Sequence, residues 1–149
     1  MDTVSVGHFE DDRTVVVEQS QLDVVEANYD PDLENAFCVF GDVRDNRFII
    51  DDIEVATVYS RGKGYVSYSC RPNAWERVPE ILYDDDQQLI GDIHTHPPRS
   101  TEHQSAVDIA GTTYKSLFEY QLRGVYHEDE GANFYTLNSL RGDLDKAVH

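Results

Sequence analysis

The apolar positions of this chain come in short runs, and the spacing inside each run points to an element. Thr14-Val15-Val16-Val17 is β-branched and predicts a first strand. Ser20 then reads as an N-cap, and 21–29 as a helix with Leu22, Val25 and Tyr29 inward. Asp30-Pro31-Asp32 ends that helix. Phe37-Cys38-Val39-Phe40 is apolar on both faces, as a central strand is, and Glu34 stands at its mouth. A strand begins at 47–50 after a turn over 42–46, and 55–59 continues or repeats it. Gly62-Lys63-Gly64 is a hairpin signal before a strand over 65–68. Trp75, Val78 and Leu82 form a helical stripe over 73–83, with Pro79 as a break point inside it. After Asp84-Asp85-Asp86 comes a strand over 87–96, a loop over 97–104 and a third helix over 105–119. Two strands, 122–126 and 134–137, close the pattern, while 1–12 and 141–149 read as loose ends. The order β-α-β-β-β-α-β-α-β-β predicts one α/β domain over 1–149, a mixed sheet flanked by helices.

The strand over 87–96 carries the chemistry. In Gly91-Asp92-Ile93-His94-Thr95-His96-Pro97 the two histidines are two apart, so a strand turns both imidazoles to one face. Pro97 ends the strand. Ser105 and Asp108 are three apart and share a face of the third helix. Two imidazoles and one carboxylate, with a water in the fourth position, is the ligand count of a catalytic zinc site. His94, His96 and Asp108 are the expected metal ligands, and His103, in the intervening loop, is an alternative to Asp108.

Composition narrows the setting. The chain has 149 residues, 40% of them hydrophobic, which suits a folded core rather than disorder. Acidic residues outnumber basic ones 29 to 12, a net charge of −17 that repels phosphate backbones and excludes nucleic acid as a general partner. Such a charge fits a salt-rich cytoplasm, where screening removes the self-repulsion. No apolar run is long enough to span a membrane, and the N-terminus has no secretory pattern, so a cytoplasmic location is expected. Cys38 and Cys70 belong to no CxxC pair and read as buried free thiols.

The run His94-Thr95-His96-Pro97 followed by Ser105-Ala106-Val107-Asp108 resembles the signature of the JAMM/MPN+ zinc metalloproteases. The likeness extends over roughly 21–137. It includes an upstream glutamate seven positions before a glycine, Glu34 and Gly41, with Phe37 where an inner glycine is common. The loop from Pro97 to Gln104 is one residue longer than is usual there. The resemblance implies a single MPN domain, cytidine-deaminase-like, of archaeal type and from a salt-adapted cell. It implies zinc on His94, His96 and Asp108, Glu34 as general base, and Ser105 as hydrogen-bond donor to the oxyanion. The implied activity is peptidase or isopeptidase cleavage of ubiquitin-like modifier conjugates. The strand over 65–68 is then a candidate edge for the modifier's extended tail. Two other classes stay open: a related zinc peptidase acting on small peptides or sulfur-carrier precursors, and a non-catalytic scaffold of the same fold. The oligomeric state is not legible.

Overall fold

A computed structural model describes residues 2–5, 13–45, 47–62, 65–79, 88–96, 122–128 and 131–136. Its elements are β1 (Asp2–Ser5), β2 (Thr14–Val17), α1 (Gln19–Ala27), β3 (Ala36–Arg44), β4 (Arg47–Val55), β5 (Thr57–Arg61), β6 (Val66–Ser69), α2 (Arg71–Glu76), β7 (Gln88–His96), β8 (Leu122–His127) and β9 (Gly131–Tyr135). Seven strands form one sheet in the order β1-β2-β4-β3-β7-β8-β9, and β5 pairs with β6 in a second, two-stranded sheet. Pairing in the large sheet is mixed: β2 with β4 and β7 with β8 are parallel, the rest antiparallel.

The expected α/β domain, an MPN-like sheet flanked by helices, does not hold. Most described residues are strand, only two helices occur among them, and the large sheet curls into a nearly closed barrel with β1 approaching β9. Strand extends where turns or loose chain were expected. The stretch at 2–5 pairs with β2, and 42–44 and 51–55 lengthen β3 and β4. Polar residues interrupt these segments in the sequence, which hides them from a hydrophobic-run reading. The third helix expected over 105–119 lies outside the described residues.

β3 is central for the reason its composition suggests: 36–41 are buried on both faces. Phe37 and Val39 join Val15, Phe48, Ile53, Ile93, Leu122 and Phe134 in the main core, onto which α1 lays Val25. The opposite face of β3 presents Ala36, Cys38 and Phe40 to a second layer built from the β5–β6 sheet and α2. The register of β3 against β4 slips between Phe40 and Gly41, and a Cβ on Gly41 would run into the backbone oxygen of Ile49. Gly41→Ala is therefore expected to cost at least about 2 kcal/mol, because backbone rather than a pliable side chain must move. A denaturant midpoint shifted down with an unchanged slope checks this.

α2 differs from the expected 73–83. It starts two residues early, with Pro72 in the first turn, where its missing N–H is tolerated, and breaks at Arg77; helical backbone resumes at 78–79, and 80–83 lie outside the described residues. Trp75, on the helical stripe, is 74% exposed. Asn73 takes the inner position instead, its amide donating to Glu54 and to the carbonyl of Val55. Arg77 bonds Asp52 and Glu54 on β4 and lies 4.0 Å from the Phe40 ring centroid, fastening the end of α2 to the large sheet.

The cysteines are buried as expected but are not free thiols: Cys38 and Cys70 form a disulfide, with Cα atoms 5.7 Å apart. Cys38 faces the second layer from the middle of β3, and Cys70 sits at the entrance to α2, so the fold stacks two residues that a separation of 32 keeps apart in sequence. Closing a loop of that size removes about 3–4 kcal/mol of unfolded-chain entropy in the chain-entropy model. No described helix is long and apolar enough to cross a membrane.

Candidate metal centre

β7 alternates between the two layers. Ile93 enters the main core, while Asp92, His94 and His96 face the other way. β3 runs antiparallel beside it with Ala36 level with His94. Glu34 lies two residues before Ala36 and His96 two residues after His94, so the antiparallel pairing leads both toward the same end of the two strands. A clasp enforces this placement. The backbone N–H of Asn35 donates to Thr95 Oγ1 at 2.8 Å, and the Thr95 N–H donates to the Asn35 carbonyl at 2.9 Å. The Glu34 N–H donates to the Gly62 carbonyl at 2.9 Å, which ties the residue to the end of β5. At the other side, the Tyr29 hydroxyl donates to the His96 carbonyl at 3.2 Å and holds the end of β7.

The side chains then converge. One ligand atom from each of Glu34, His94 and His96 lies within 4.8 Å of the others, and all three residues are buried, at 7%, 2% and 5% exposure. The two Nε2 atoms are 3.1 Å apart. Nitrogens bound tetrahedrally at zinc–nitrogen lengths of about 2.0–2.1 Å would be about 3.3 Å apart. The pair therefore needs little adjustment to share one ion. A cation between two imidazoles and a carboxylate also offsets the cost of burying the negative charge. This group can hold a metal ion, and no other such group occurs among the described residues. Ser105, Asp108 and His103 lie outside the described residues.

Polar partners that the sequence did not disclose lie farther back along β7. Asp92, one step before His94 on the same face, accepts from Arg123 Nε at 2.6 Å and from the Tyr68 hydroxyl at 2.7 Å. Arg123 Nη2 donates to the Tyr68 hydroxyl at 3.1 Å, closing a triangle among β6, β7 and β8. Asp92 was visible in the alternation of β7, but its partners come from strands that only the fold brings near. Beyond them, His127 on β8 is level with His96 across the parallel pairing and is also buried.

Burial, and then the negative charge of Asp92, hold the Tyr68 hydroxyl well above its ordinary value of 10.0. The native state thus keeps a proton that the unfolded chain releases near pH 10. The stabilisation is complete below that pH and is lost as pH rises from there toward the native value. Wild type is expected to lose melting temperature more steeply than Tyr68→Phe between pH 9.5 and pH 11, as thermal scans across that range would show.

No protein-family model matches the chain, and no curated protein matches it significantly.

Proposed function

We propose that this chain is a zinc-dependent hydrolase of the JAMM peptidase type, cleaving a peptide or isopeptide bond. The observation that carries the reading is the convergence of Glu34 on the His94–His96 pair, three residues drawn from two separated stretches of sequence. A strand alone puts two alternate histidines on one face; it does not bring a buried carboxylate to them.

In this reading His94 and His96 would hold zinc, with Asp108 as the third ligand. When bound, zinc lowers the pKa of a coordinated water to about 7 and so supplies a nucleophile at neutral pH. Glu34 would accept a proton from the attacking water and give one to the leaving amine. Ser105 donates a hydrogen bond to the carbonyl oxygen as negative charge builds there. The low exposure of Glu34 keeps solvent from competing for that proton.

The same distances favour a second reading, in which Glu34 is itself a ligand. A carboxylate that binds the ion carries less basicity, and the proton acceptor is then another group.

The substrate class proposed is a ubiquitin-like modifier joined through its C-terminus to a lysine or to a linear partner, in a cytoplasmic setting. The test is an assay of purified protein on such conjugates and on short peptides, before and after chelation and after zinc is restored. Conjugate cleavage that is lost to the chelator and regained with zinc supports the reading. Cleavage of short peptides alone points instead to a general zinc peptidase. Zinc bound at one equivalent without cleavage of either points to a binding scaffold.

A further inference from the structure

We propose that the Cys38–Cys70 disulfide is a redox lock on the Glu34 end of the metal centre. The inference rests on the metal-centre reading above for its effect on the site, and on the fold alone for the lock itself.

The β5–β6 sheet and the start of α2 form a unit lying over β3 and β7. Its non-covalent ties reach the site directly. Gly62 accepts from the Glu34 N–H at 2.9 Å, and Tyr68 donates to Asp92 at 2.7 Å. Where β5 begins, the Ala56 N–H donates to the Ala36 carbonyl at 3.0 Å. Ala36 is level with His94, and Cys38 is level with Asp92. The disulfide is the covalent tie in this set, anchored on β3 four residues beyond Glu34. Asn73 and Arg77 hold α2 to β4, so opening the disulfide frees Cys70 and the adjoining end of β6 from β3. That end carries the hairpin whose Gly62 positions Glu34.

Both sulfurs are buried, so a reductant reaches them only when the unit parts from β3. A dithiol then opens the bond by exchange. One of its thiolates attacks a cysteine sulfur, the S–S bond breaks, and the other cysteine leaves as a thiolate and takes up a proton. The second thiol of the reductant displaces the first cysteine in turn. The protein gains two electrons and two protons as two thiols, and the reductant ends as its own disulfide. In a reducing compartment such bonds are most often transient or redox-sensing. Because coupling is reciprocal, an ion that favours the locked state also disfavours reduction at equilibrium.

The experiment compares the full chain, oxidised, with the same protein reduced by a dithiol that is then removed without air. Cys38→Ser/Cys70→Ser serves as a permanently open form. Thiol titration in denaturant is expected to find no free thiol before reduction and two after it. Hydrogen exchange is expected to quicken in β5, β6 and α2 while β8 stays protected. Affinity for Co2+, followed by its visible absorption, is expected to fall about tenfold on reduction and to recover on reoxidation. The serine variant should match the reduced protein and ignore the reductant. Two free thiols in the air-prepared protein would overturn the lock. So would exchange and Co2+ affinity that are equal in both states, or exchange that quickens equally in β8, which marks a global brace. If exchange responds as expected but neither state binds Co2+, the lock stands and the metal-centre reading falls.

Discussion

Glu34→Gln is expected to keep zinc at one equivalent and to lose about 10²–10⁴ in kcat. Glutamine matches glutamate in size and still offers an oxygen, but it cannot accept the water's proton. The backbone around it is fixed independently of the carboxylate, by the bond from Glu34 N–H to Gly62 and by the Asn35–Thr95 clasp. A loss of rate in this variant is therefore chemical rather than a failure to fold. Zinc analysis beside the kinetics separates the two roles open to Glu34. Retained metal with lost turnover makes it the base; metal lost together with turnover makes it a ligand. Unchanged turnover removes Glu34 from the chemistry altogether.

The second large effect belongs to the imidazoles. His94→Ala and His96→Ala should each weaken metal binding by well over the 100-fold that outer partners of a metal site can cost, and should take activity to background. Both residues are buried, so each truncation leaves a polar, water-sized gap and not a surface change. His127→Ala is the informative control. It removes a buried histidine level with His96, yet His127 is not in the converging group. It should keep the metal. Metal loss as great as in His96→Ala would mean that the ion sits nearer β8 than proposed, and metal titration of the three variants distinguishes these outcomes.

How much of this could be read beforehand varies with the physical origin of each feature. The central strand at Phe37–Phe40 and the histidine strand were legible because burial on both faces leaves an uninterrupted apolar run, and because alternation alone sets which side chains share a face. The Glu34-to-Gly41 spacing also has a physical root. Gly41 sits at a register slip where the neighbouring backbone leaves no room for a Cβ, while Glu34 lies at the open end of the same segment. β1 was not legible, since four residues at the polar N-terminus become a strand only by pairing with β2. The barrel-like curl has a related origin, because it is β1, at one edge of the sheet, that approaches β9 at the other. Trp75 lies on a helical stripe yet is exposed, because a stripe marks one face without saying which face is covered. Here Asn73 is held inward by Glu54 and Val55. The disulfide and the Asp92–Arg123–Tyr68 triangle each join distant elements, and nothing local in the chain announces them.

The most direct measurement is diffraction from zinc-soaked crystals at wavelengths on either side of the zinc edge. The account predicts a single strong anomalous peak about 2.0–2.1 Å from the Nε2 atoms of both His94 and His96, with the Glu34 carboxylate within reach of the ion or of its water. No peak between those imidazoles, or one seated elsewhere with Glu34 turned away, would contradict it.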